Sequence, residues 1–216
     1  MALEAGPAAG SKPEPGAALA ALFTREQLLG TLLLWLVFAI NLGEFYALQS
    51  WLPTILTGEG HPLRMAVTIT TLTTVGGIVA AFVTGPCMDR LGAFGTVALV
   101  YLVGCISVAL IGPAFAAPVW ALMAANFAAG CCISGGQKSL IALAAVFYPA
   151  PMRSTGVGWA LGIGRIGGIL GPILLGWALM REWPLTTVFY AMAAPMLAAG
   201  LLVLFLGARS RRTAAA

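Results

Sequence analysis

Charge is scarce in this chain. Asp, Glu, Lys and Arg make up 8% of its 216 residues, and 60% are hydrophobic. A soluble domain carries about 25% charged residues. So thin a polar coat excludes a water-soluble globule and places the chain among membrane proteins. Histidine is scarcer still, since His61 stands alone. The four cysteines, Cys87, Cys105, Cys131 and Cys132, lie in or beside apolar stretches, with no CxxC spacing and no Cys/His cluster. That pattern excludes a zinc-binding motif and argues against a disulfide framework, so neither a metal nor a cofactor is implied. Thiols packed as small hydrophobes fit better. The formal charge of +4 is no nucleic-acid signal, because the cations are scattered, with no run beyond Arg209, Arg211 and Arg212.

Period-two alternation is also missing, which argues against barrel strands. What the chain has instead is long apolar runs, near 28–52, 65–87, 94–112, 118–148, 155–180 and 185–208. A membrane crossing needs about 20 apolar residues at about 1.5 Å rise each. Six transmembrane helices are therefore predicted, an all-α membrane bundle over 26–208. Breaks are expected at 53–64, 89–93, 112–118, 149–153 and 181–184. Residues 1–25, rich in Ala, Pro and Gly, read as a flexible cytoplasmic tail or linker, and 209–216 as a cytoplasmic C-terminal tail. Six crossings leave both ends of the bundle on one side. Seven cations, Lys12, Arg25, Arg90, Arg153, Arg209, Arg211 and Arg212, fall on that side, and two, Arg64 and Arg181, on the other. The positive-inside rule then puts both termini in the cytoplasm of a multi-pass inner (plasma) membrane protein.

Three ionisable residues interrupt the apolar runs: Glu44, Lys138 and Arg165. Counted by helix rise, Lys138 and Arg165 lie about 15 Å from the cytoplasmic ends of their spans, and Glu44 about 10 Å below the outer surface. A charge at such depth is costly unless it is paired or faces water, and it commonly marks a substrate or ion pathway. Asn41 stands one turn before Glu44 on the same face, and Gln137 and Ser139 flank Lys138. Glu44 is the candidate proton carrier, because taking up a proton removes the charge that the membrane penalises. A static ion pair of Glu44 with Lys138 or Arg165, holding helices together, remains the alternative.

Small residues crowd the fifth run. Gly158 and Gly162, Gly164 and Gly168, and Gly167 and Gly171 are each four apart, a spacing that lets neighbouring backbones approach. Tight packing or a sliding contact would each use such a face. Gly76, Gly77 and Gly85 give the same signal more weakly, and Thr70, Thr73 and Thr74 are expected to form interhelical hydrogen bonds.

Residues 85–92 read GPCMDRLG, which resembles the G-x-x-x-D-R-x-G loop of the major facilitator superfamily, joining two helices on the cytoplasmic side. Ala93 and Phe94 stand where further basic residues of that motif would follow, a degeneracy usual in the superfamily's second half. The stretches QSWLPTIL (49–56), GGQKSLIALAAVFYP (135–149) and YPAPMRSTGVGWALGIGRIGGILGP (148–172) resemble the aromatic acid:proton symporter family, as does LFTREQLLGTLLLW (22–35). Order and spacing agree with helices seven to twelve of that family over about residues 22–208. The resemblance implies proton-driven transport of aromatic carboxylates, of the benzoate or hydroxybenzoate type, by alternating access. It also implies that Glu44 and Lys138 face substrate with Arg165 close behind. Arg165 or Lys138 would take the carboxylate, with Asn41, Gln137 and Tyr46 as further substrate contacts, and Phe45, Tyr46 and Trp159 as candidates for ring stacking. Gly85, Asp89, Arg90, Gly92 and Arg153 would form the cytoplasmic gate and loop motif.

A complete transporter of this superfamily has twelve spans in two related halves. The six spans here correspond to half, so a first half or a second copy is the implied partner, beside the acid, the proton and the bilayer. The alternative is a truncated fragment or accessory subunit that does not transport. An enzyme is not expected. An intramembrane protease of the six-span kind needs a G-x-S-G turn, and Cys132 stands where its first glycine would be, while His61 lies in a loop.

Overall fold

The computed structural model describes residues 15–214. Seven helices run through them: α1 (Pro15–Leu22), α2 (Leu28–Gly58), α3 (Leu63–Leu91), α4 (Ala93–Ala114), α5 (Val119–Phe147), α6 (Arg153–Met180) and α7 (Leu185–Ala214). A short 3-10 turn, Ala150–Met152, leads into α6, and no strand occurs among the described residues. Helices α2 to α7 are each long and apolar enough to cross a membrane. Hydrocarbon offers the backbone no hydrogen-bond partner, so each span satisfies its own N–H and C=O groups by forming a helix. The outer surface fits that solvent: Phe82, Trp120 and Met180 are among its most exposed side chains. In water such a surface would drive association. The chain is a multi-pass membrane protein.

The helices pair before they bundle. α2 packs chiefly on α6, α3 on α5 and α4 on α7, while contact between α4 and α5 joins two of the pairs. Phe38, Tyr101, Tyr148 and Phe189 fill the centre and are fully buried. Glycines set the closeness of the first two pairs. A Cβ at Gly167 would land on the Ala39 backbone, one at Gly171 on that of Gly43, and one at Gly76 on the Phe127 carbonyl.

Several boundaries differ from those expected. α2 continues through Pro53 to Gly58. Proline is tolerated within membrane helices. α3 likewise runs through Pro86 to Leu91, so the break expected at 89–93 shrinks to Gly92. Its φ of +78° lies where glycine is at ease and other residues are not. α7 extends past 208, and the Arg209 guanidinium donates to the Glu26 carbonyl at 3.4 Å, tying the end of α7 to the chain entering α2. Of the expected N-terminal tail, residues 1–14 lie outside the described residues. Pro15 opens α1, the helix position where its missing N–H matters least, and Leu22 at the other end is fully buried. Residues 215–216 also lie outside.

Candidate functional site

The three membrane-depth charges do not meet. Glu44 is only 6% exposed, and its Oε2 is buried with no hydrogen-bond partner. It lines a crevice between α2, α6 and α7, beside Gly43, Ala47, Gly171 and Met192. Arg165, on α6, is exposed, and its Nη1 donates to the Tyr46 hydroxyl of α2 at 3.1 Å. Lys138, on α5, is also exposed, and its Nζ donates to the Gly77 carbonyl of α3 at 3.2 Å. Neither cation pairs with Glu44, so the static ion pair left open by the sequence is not formed.

Helix geometry explains the separation. Successive residues turn by about 100°, so Glu44 and Tyr46, two apart, point about 200° from one another. Arg165 reaches the Tyr46 side, and Glu44 faces the opposite one. By exposure alone, Arg165 and Lys138 stand out from the bundle. Arg165 stands out on the exposed side, and Glu44 is withdrawn into the packing.

The neighbouring polar residues divide in the same way. Asn41 is fully buried, and its Nδ2 donates to the Ile133 carbonyl of α5 at 3.1 Å. It therefore joins two helices. Gln137 is half-buried. Tyr46 is half-buried and meets Phe45 edge to face at 5.2 Å between ring centroids. Trp159 stacks on Trp35 at 6.0 Å, linking α6 to α2 toward the end where both helices begin. Beside Trp159, Gly158 and Gly162 have nothing within 4 Å of where a Cβ would stand. They line a shallow hollow with Ser154 and Thr155, so this pair of the glycine series is open where the other two pairs are packed.

The loop motif sits mostly on helix. Gly85, Asp89 and Arg90 belong to the last turns of α3, and Gly92 makes the turn into α4. Asp89 and Arg90 are exposed and make no hydrogen bond or ion pair among the described residues. Arg153 opens α6, and its Nε donates to the Tyr148 carbonyl at 3.4 Å. The threonines of α3 turn inward on their own helix. Thr70 donates to the Ala66 carbonyl and Thr73 to that of Ile69, in place of the interhelical bonds expected.

Two contacts of α2 with α6 were not singled out from the sequence. The Trp51 indole N–H donates to the Pro172 carbonyl at 2.9 Å. Gly43 forms the receiving half of the glycine contact with Gly167 and Gly171. A signal for it was present, because Ala39, Gly43 and Ala47 are small residues four apart on one face of α2.

Comparison with known proteins agrees with this architecture. The chain is 39% identical over 195 residues to a gallate transporter of Pseudomonas putida, covering 90% of this chain and 43% of that protein. It is 37% identical to the 4-hydroxybenzoate transporter PcaK of Pseudomonas aeruginosa, covering 87% of this chain and 42% of the relative. A benzoate transport protein of Acinetobacter baylyi is 34% identical, with 86% of this chain and 39% of that protein covered. The chain thus spans less than half the length of these relatives. Residues 34–216 match the Major Facilitator Superfamily profile, and with six paired apolar helices built on glycine contacts, this chain belongs to that superfamily.

Proposed function

We propose that this chain forms half of a proton-coupled transporter for aromatic carboxylates, equivalent to the C-terminal half of its relatives. The observation that carries the reading is the Arg165–Tyr46 pair. An exposed guanidinium at membrane depth, steadied by a neutral phenol, keeps its charge for an incoming carboxylate while offering a ring edge beside it. Lys138 and Gln137 supply further polar contacts from α5. Asn41 has a different part here, since its amide N–H is engaged with α5. The substrates for which these relatives are named, gallate, 4-hydroxybenzoate and benzoate, share one carboxylate on an aromatic ring and fit this pair.

Glu44 is the proton carrier of this reading. It lies two residues from Tyr46 on the same helix, so neutralising it alters the packing of α2 against α6 and α7 while Tyr46 moves with the same turn. Coupling then passes through α2 as a body, with no direct Glu44–Arg165 contact. Alternating access is a rocking of one half against the other. The Gly85, Asp89, Arg90 and Gly92 turn, with Arg153, closes the cytoplasmic side. Both ends of the six-span bundle face the cytoplasm of a plasma-membrane protein. The partner is a preceding half or a second copy.

Uptake of labelled benzoate, 4-hydroxybenzoate and gallate tests the proposal, in cells making this chain together with the first six spans of a relative. Accumulation that a protonophore collapses and Arg165→Ala removes is expected. Uptake no higher than in cells lacking the chain, for all three acids, would sink it.

A further inference from the structure

The crevice between α2, α6 and α7 has a volume of about 430 Å³. Gly43 and Gly171, in backbone contact with one another, line it, as do Leu174, Trp177 and Ala191, all three exposed and apolar. Glu44 is the one charged residue on its wall. That carboxyl is 6% exposed, and its Oε2 has no partner. An unmet acceptor in an apolar hollow has three ways to be satisfied: water, lipid, or a ligand with a donor. A buried water needs about two to four polar partners, and Glu44 is the one carboxyl, amide or hydroxyl side chain on this wall. A lipid tail fills space but brings no donor. A ligand with an apolar body and an N–H at one end answers both features, and a positive charge on that end offsets the carboxylate.

Size and rim narrow the ligand further. A cavity of about 150 Å³ holds benzene, so this one accommodates a body of two fused rings with its substituent. At the mouth, Trp177 and Trp183 stand edge to face at 5.7 Å, and the Arg181 guanidinium lies over Trp177 at 5.2 Å. The rim already attracts one cation.

We propose that this crevice is a membrane-facing binding site for small lipophilic ammonium compounds, with rings between α6 and α7 and the N–H on Glu44. The site is separate from the Arg165–Tyr46 side, with opposite charge preference. It stands whether or not the chain transports aromatic acids.

Carbodiimide labelling of the full chain in phosphatidylcholine bilayers tests this without any transport assay. Dicyclohexylcarbodiimide enters from lipid and adds to a carboxylic acid. The acid proton passes to a carbodiimide nitrogen, the carboxyl oxygen bonds to the central carbon, and the acyl group then shifts to nitrogen. The whole reagent stays attached, and peptide mass spectrometry locates it. Labelling of Glu44 is expected. N,N-dimethyl naphthylmethylammonium should slow it by about tenfold or more. Isobutylnaphthalene, of the same shape with carbon for nitrogen, should slow it less than about twofold at equal membrane concentration. Ala191→Trp, which leaves the carboxyl in place and narrows the mouth, should remove the protection by the ammonium. No labelling of Glu44, no protection, equal protection by both compounds, or full protection of the Ala191→Trp protein would each overturn the proposal.

Discussion

The two sides of α2 treat charge in opposite ways. On one, Tyr46 accepts a hydrogen bond from an exposed Arg165, and the guanidinium retains donors for something else. On the other, two residues away along the helix, Glu44 is almost buried on the crevice wall beside α6 and α7, with an unmet oxygen. The first arrangement is that of a contact surface: charge held out, steadied by a neutral partner. The second is that of a carboxyl held within packing, which the proposed function uses as a protonation switch. Under the proposed function one helix serves two tasks that would interfere if Glu44 and Arg165 were in contact, because an ion pair between them would silence both.

The packed side of α2 is the more fragile. Gly171→Leu puts a branched side chain onto the Gly43 backbone, which has no rotamer with which to yield. Overpacking costs about 1–3 kcal/mol, and more where only backbone stands in the way. The largest loss of thermal stability among these variants is therefore expected there, read by melting in detergent. Gly162→Ala, at a position open to at least 4 Å, should change stability by less than about 0.5 kcal/mol. Similar losses for both would mean that α2 and α6 are not in backbone contact.

Glu44→Gln keeps the shape of the crevice side and removes the titration. In a complete transporter it should abolish proton-driven accumulation while sparing exchange of labelled for unlabelled acid. If driven uptake and exchange fall together, the carboxyl supports the fold or the substrate path, and the division of labour on α2 fails.

Arg165→Ala tests the open side. Hydrogen bonds to charged groups contribute about 1.5–3 kcal/mol, so affinity for an aromatic carboxylate should drop by about 10- to 100-fold. The matching amide or alcohol should bind nearly as before. A uniform drop for acid and neutral analogue would point to lost shape, not to a lost carboxylate contact.

What could be read in the sequence follows the helix axis, and what could not lies around it. Six crossings, the depth of Glu44, Lys138 and Arg165, and the tight glycine series at 164–171 all depend on length and spacing along one chain. The facing of Glu44 depends on which helices flank α2, a long-range outcome set by the Gly43–Gly171 contact, and no local pattern states it. The same holds for Pro53, which looks like a stop in isolation but is carried within α2. Gly92 was legible as part of a loop motif; that it alone makes the whole turn follows from its positive φ. Tyr46 was named from its position, yet its bond to Arg165 joins residues 119 apart in the sequence.

Asn41 separates packing from substrate contact most finely. Its Nδ2 bonds the Ile133 carbonyl, while its Oδ1 is buried without a partner. Polar contacts between membrane helices are worth about 0.6 kcal/mol on average, and an unmet buried acceptor offsets part of that gain. Leucine has nearly the same shape and carries neither group. Asn41→Leu should therefore shift stability by less than about 1 kcal/mol, in either direction, because the lost bond and the removed orphan oppose each other. Uptake by the complete transporter should stay within about twofold of the parent. If uptake fails while the melting point holds, Asn41 turns toward substrate during the transport cycle, and the side of α2 that bears it belongs to the pathway.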